Sequence, residues 1–293
     1  MHFPAHLFFP LASSFGYVFA VLLLKRSADW GVGVWRTTFV ANIAMGLVLL
    51  PLLCLGGEWQ PAALWQPVVA GLLFFMGQIF TFLALNYGDV SVATPVMGLK
   101  IVLVAFCSVL MLPDPVPLKW WIAAGLSTVA IMLLSRGDAR PKHAVGRTIV
   151  MAGLAAASFA MTDVLVQKWA PAWGVGRFLP TMFGSVALVS VVLVPFFSAP
   201  LRAVPKAAWG WLGSGCVLLA VQSGSMAFVL GVFGDATAVN IVYSARGLWS
   251  VAAVWLVGHW FANEEQRLAP AVLRSRLIGA GLMLAAISLV MLG

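Results

Sequence analysis

The chain has 293 residues, 62% of them hydrophobic and 9% charged, with a mean hydropathy of +1.01 and a formal net charge of +8. A soluble domain carries charge on about a quarter of its residues, so this composition excludes one and indicates an integral membrane protein. The excess of Lys and Arg falls mostly at the ends of apolar runs, where it sets topology and meets anionic headgroups, and it does not suggest nucleic-acid binding.

Apolar runs long enough to cross a hydrocarbon core of about 30 Å lie near residues 7–24, 34–53, 67–86, 92–112, 119–135, 148–168, 178–197, 209–232, 238–261 and 275–292. Each is expected to be a transmembrane helix. No Lys or Arg precedes the first run, which is therefore taken as a span and not as a signal peptide. The polar segment 136–147 separates five runs from five.

Three local matches recur in order across that divide. Trp30, Gly31, Val32 and Gly33 follow the first run as Trp173, Gly174, Val175 and Gly176 follow the sixth. Gly88 and Asp89 precede an apolar stretch bearing Lys100, while Gly234 and Asp235 precede one bearing Arg246, and both pairs lie 146 residues apart (88 to 234, 100 to 246). Ala123–Leu126 in the fifth run answers Gly279–Leu282 in the tenth. A repeat with an odd number of spans inserts its second copy upside down. The expected fold is thus all-α and integral to the membrane, with ten transmembrane helices arranged as two inverted five-helix repeats. The first repeat occupies 1–135, a basic linker 136–147, and the second repeat 148–293.

Lys100 would lie about 12 Å into its span at about 1.5 Å per residue, too deep to reach water. An ionisable residue at that depth marks a functional site by default. Arg246 has Tyr243 three residues before it and Trp249 three after, on one helical face, an arrangement suited to a carboxylate or phosphate on the guanidinium with the rings stacked on the remainder of a substrate. Lys100, Arg246, Tyr243 and Trp249 are therefore the expected substrate-binding residues, joined by the polar or aromatic groups Tyr17, Asn42, Gln78, Asn86, Gln222 and Asn240. Asp163, about five residues from the end of the sixth run, is expected to carry a coupling proton, to pair with Lys100, Arg246 or Arg36, or to reach the interface beside Lys168. Arg36 is either an interfacial anchor or a site residue. Among neutral features, Gly213, Gly215, Gly224 and Gly231 of the eighth run form a small-residue face for helix packing.

Chemistry of other kinds finds no support. Cys54, Cys107 and Cys216 have no metal-ligand spacing and read as small hydrophobes. The histidines show no ligand spacing, no nucleophile, base and acid combination is credible on the membrane faces, and no phosphate-binding glycine loop follows a strand. The expectation is a protein that is not an enzyme and needs no cofactor or metal, whose partners are the lipid bilayer and a small-molecule metabolite.

The layout with cation-bearing fourth and ninth spans, together with residues 84–96 leading into the fourth span and Gly125 in the fifth, resembles the ten-span EamA-type branch of the drug/metabolite transporter superfamily. Members export or exchange amino acids, other metabolites, nucleotide sugars or sugar phosphates. In the branches carrying phosphorylated sugars, basic residues of the fourth and ninth spans hold the anion, and Lys100 and Arg246 match those positions. The resemblance implies a bacterial inner-membrane protein, and a monomer or homodimer is expected. The loop after the fourth span departs from the family in being proline-rich, with Asp114 its only acid. Family members are usually drawn with both termini in the cytoplasm. The cations here crowd the odd-numbered loops, which places both termini outside. The expected activity is secondary active transport of a small metabolite with an anionic group, by alternating access around a midplane site. The alternative is a multidrug or organic-cation exporter of the same superfamily, which normally needs a membrane-embedded carboxylate that the first span lacks.

Overall fold

Inside hydrocarbon the backbone has no water to bond, so a spanning segment must satisfy its own polar groups as a helix or a closed barrel. The computed structural model, which describes residues 4–86, 90–135, 145–257 and 270–292, takes the first route and has no strand among the described residues. Its helices are α1 (Phe8–Ala28), α2 (Val34–Val48), α3 (Trp65–Asn86), α4 (Val90–Gly98), α5 (Lys100–Met111), α6 (Leu118–Leu134), α7 (Val145–Trp173), α8 (Val175–Val189), α9 (Lys206–Phe233), α10 (Ala236–Tyr243), α11 (Arg246–Val257) and α12 (Pro270–Met291). Most of the linker 136–147 and of the ninth loop lies outside the described residues.

Eight helical segments are long and apolar enough to cross a membrane among the described residues. α6 is apolar but only 17 residues long. The expected fourth and ninth spans are each divided, into α4 with α5 and α10 with α11, so neither is the continuous helix that its apolar run suggests. α2 and α8 are both 15 residues long, and each runs on into a 3₁₀ stretch containing proline, Leu50–Leu55 and Ser190–Phe196. Gly31 and Gly174, the matching glycines of the first and sixth loops, both take positive φ (76° and 71°), a left-handed conformation that costs glycine little.

The helix pairings interchange between the two ends of the chain. α1 packs along α9 as α3 packs along α7; α2 meets α9 as α8 meets α3; α2 pairs with α8 and α6 with α12. Alanines carry much of this packing, among them Ala70, Ala123, Ala124, Ala130, Ala155 and Ala160, all fully buried. Small residues let backbones approach closely where the lipid gives apolar side chains no reason to leave it. Large apolar side chains on the perimeter, such as Leu110, Leu118, Ile122 and Leu188, are exposed, as a lipid-facing surface requires.

The small-residue face of α9 serves packing at three of its four glycines. A Cβ at Gly215 would meet Leu24, one at Gly224 would meet Leu49, and one at Gly231 would lie 2.7 Å from Val175 Cγ1 and 3.0 Å from Ala170 Cβ, whereas Gly213 has open space. Gly231→Ala should therefore lower the melting temperature of the detergent-solubilised protein through overpacking of about 1–3 kcal/mol, while Gly213→Ala leaves it unchanged or raises it. Thermal melts of the two variants side by side check this.

Candidate functional site

Both divided helices break one residue or two before a cation. In the first, Pro95 has no N–H to donate, and the Leu99 N–H bonds the Val96 carbonyl (3.1 Å), tightening the chain before α5 starts at Lys100. In the second, the Ala245 N–H bonds Val242 (3.1 Å) and the Gly247 N–H bonds Ser244 (3.0 Å), and α11 starts at Arg246. Neighbouring side chains repair the freed backbone groups. The Thr128 hydroxyl of α6 donates toward the Gly98 carbonyl (3.4 Å), and the Ser244 hydroxyl donates to the Ile241 carbonyl. Irregular backbone at membrane depth survives where protein surrounds it in this way.

Lys100 meets an acid. Its Nζ lies 2.7 Å from Asp163 Oδ2, with the two side chains 16% and 15% exposed, and 5.7 Å from the centroid of the Phe159 ring. Asn240 Nδ2 donates to the same Asp163 oxygen (2.8 Å) and to the Ala236 carbonyl (2.9 Å). Phe159, Asp163 and Gln167 recur every four residues, on one face of α7. Gln167 Oε1 accepts the Ala236 N–H (2.8 Å), satisfying one of the donors left free at the start of α10. One stripe of α7 thus holds the end of α10, orients Asn240 and neutralises Lys100.

Arg246 has no such partner. Its guanidinium carbon lies 5.2 Å from the Tyr17 ring centroid and 5.0 Å from that of Tyr243, and the two rings meet edge to face at 6.2 Å. No carboxylate among the described residues is within ion-pair distance of it, although Asp163 acts on it through space. The cage is braced from outside. Tyr243 donates its hydroxyl to Gln222 Oε1 (3.0 Å), whose Nε2 donates to Ser223 (2.6 Å). Trp249 Nε1 donates to Ser14 Oγ (3.0 Å) and stands edge-on to Phe15 at 5.5 Å. The guanidinium also hydrogen-bonds Tyr243, and with no carboxylate on it the rest of its planar N–H fork can meet an incoming anion.

Of the residues expected from sequence, Tyr17, Gln222, Tyr243, Arg246 and Trp249 form one cluster, and Lys100, Asp163 and Asn240 form another. α10 joins them, presenting Asn240 to one and Tyr243 to the other. Asn42 and Gln78 instead bond each other (2.9 Å) between α2 and α3. Arg36 is an anchor: its Nη2 donates to the Gly31 carbonyl (2.6 Å) and the Ser198 hydroxyl (3.2 Å), so it is not the partner of Asp163. Asn86 is the last described residue of α3, and its side chain lies outside the described residues. Asp163 is deeper than expected, because α7 continues to Trp173 and puts ten residues after it, not about five. Ser14, Phe159 and Gln167 were not singled out from sequence. Their signal was positional, three residues from Tyr17 and four either side of Asp163.

Helices broken at membrane depth recur in secondary transporters. Residues 4–136 match the EamA-like transporter family. A solved protein crystal structure is similar in fold over 99% of this chain and 99% of its own, with a TM-score of 0.76 at 17% identity. No curated protein matches.

Removing one member of a buried ion pair strands the other, at a cost of about 3–5 kcal/mol. Lys100→Met should accordingly melt well below the parent protein, and Lys100→Met combined with Asp163→Leu should recover most of the loss. A double-mutant cycle of melting temperatures reads the coupling; equal and additive losses would mean that the pair is not held in the membrane protein.

Proposed function

We propose that the protein is a secondary active transporter of a small metabolite carrying an anionic group, with Arg246 as the anchor for that group. The observation that carries this reading is the half-buried guanidinium between Tyr17 and Tyr243 without a carboxylate partner among the described residues. A charge at this depth costs a few kcal/mol even on the lenient insertion scale, and binding a substrate anion would offset that cost. Lys100, Asn240 and Asp163 complete the polar centre, while Gln222 and Trp249 hold the cage. An amino acid, another carboxylate or a phosphorylated compound meets this requirement. An organic cation fits less well, since Asp163, the carboxylate it would need, is already engaged by Lys100 and Asn240.

The transport cycle proposed is alternating access between two inverted five-helix repeats, 1–135 and 148–293, joined by the linker 136–147. Register supports it. α5 begins at Lys100 and α11 at Arg246, so the two breaks fall 146 residues apart (100 to 246). The interchange of helix pairings described above is what such a pseudo-two-fold relation requires. A site at the breaks would then lie near the midplane, open to either side as the halves rock. The proposed location is a bacterial inner membrane, with the protein acting as a monomer or homodimer.

Ligand that binds only the folded state stabilises it by about 2.7 kcal/mol at a hundred times its dissociation constant. A metabolite panel screened by thermal shift on purified protein should yield anionic hits, and proteoliposomes should show saturable counterflow of the same compounds. Arg246→Gln should abolish both responses while the apo protein keeps a cooperative melt. Hits confined to cations, or anion shifts that survive Arg246→Gln, would overturn the assignment.

A further inference from the structure

We infer that Asp163 sets the charge of the substrate: with the Lys100–Asp163 pair intact the site takes a monoanion, and a dianion enters only together with a proton. The inference rests on Arg246 as the anion anchor and goes on to count the charges around it. Lys100 and Asp163 are 2.7 Å apart, and the pair has zero net charge whether the shared proton sits on the ammonium or on the carboxylate. Arg246 therefore supplies the whole net charge of the centre, a single positive unit. One negative charge on the ligand balances it, while a second would stand unpaired in a medium that solvates charge poorly. Adding one proton from solvent to the pair leaves a neutral Asp163 carboxylic acid beside a charged Lys100, and raises the net charge to two.

The surroundings of Asp163 make it the group that decides this. The charged and titratable groups facing it among the described residues are Lys100 from α5, Arg246 from α11, Tyr243 from α10 and, further off, Tyr17 from α1, the last placed by its contacts with Arg246 and Tyr243. Of the other helices packed on α7, α3 and α4 carry no charged or titratable group among their described residues, α8 carries Arg177, and α9 carries Lys206 and Cys216. Asn240 has its amide turned to Asp163 Oδ2, and an amide tolerates either protonation state of its partner, since its position is fixed separately by Ala236. Asp163 acts through Lys100 and is a specificity-determining residue without touching the anion itself.

The test uses matched mono- and disulfonates of methane, benzene and naphthalene, which stay fully ionised at any working pH, with the purified full-length protein in detergent. In the parent protein the monosulfonates should bind in an Arg246-dependent and pH-insensitive manner, whereas disulfonate affinity should rise as pH falls, approaching tenfold per unit, with uptake of one proton by calorimetry in buffers of different ionisation heat. Asp163→Asn leaves Lys100 uncompensated and should shift the disulfonate to monosulfonate preference by about tenfold or more, abolishing its pH dependence. Lys100→Gln with Asp163→Asn returns the net charge to one and should restore the parent preference, which separates charge from damage to the fold. If the parent protein binds no sulfonate through Arg246, the anchor reading and this inference fall together. Should the monosulfonates bind through Arg246 while Asp163→Asn leaves the preference unchanged, the inference alone falls.

Discussion

Hydrocarbon does not solvate charge, and three ionised groups at depth must therefore be arranged around one another before anything else in this protein can be settled. Lys100 and Asp163 cancel across 2.7 Å; Arg246 is left to two aromatic faces. The rest of the core follows from these two solutions. α7 has to bring Asp163 to the start of α5, which it does by packing against both α4 and α5 with small residues. α1 has to bring Tyr17 to the start of α11, which its packing on α9 and α11 allows. A helix that breaks at a cation also exposes backbone donors at its new N-terminus, where an anion is favoured by the local dipole.

The two divided helices treat their cations differently. Lys100 and Arg246 each open the second piece of a divided helix, yet one is compensated by a carboxylate and the other by aromatic rings. Perfect symmetry would give either two free cations or none. The asymmetry leaves one cation, Arg246, without a carboxylate partner among the described residues. Residue type follows geometry: lysine is a compact point charge suited to a single carboxylate oxygen, and arginine a planar fork that can lie against two rings.

Much of this was legible in the chain. The offset of 146 residues between Lys100 and Arg246 identified both cations and their equivalent placement, and the i, i+3 spacing of Tyr243 and Trp249 about Arg246 put them on its face. The helix breaks were less visible, since Pro95 and Gly98, or Ser244 and Gly247, also occur in continuous membrane helices. Asp163 was misjudged in depth because Lys168 resembled a terminus; the exposed Lys168 side chain sits on a helix that continues to Trp173. The pairing of Lys100 with Asp163 crosses 63 positions of sequence (100 to 163), and no local pattern distinguishes it from a pairing with Arg36. Only the register of α5 against α7 decides that, and register comes from the packing of alanines and glycines whose preferences are individually weak.

The link between the ends of the chain also bears on motion. Gln167 holds the first turn of α10 and Asn240 holds Asp163, so α7 and α10 are tied at two points. Lys100, on α5, is the partner from the other side of that junction. A rearrangement that separates α5 from α7 must break the 2.7 Å bridge and leave two charges in a poorly solvating medium, which is prohibitive unless something replaces each partner. The pair is therefore a tie between α5 and α7 whose strength is set by the desolvated charges that parting it would expose.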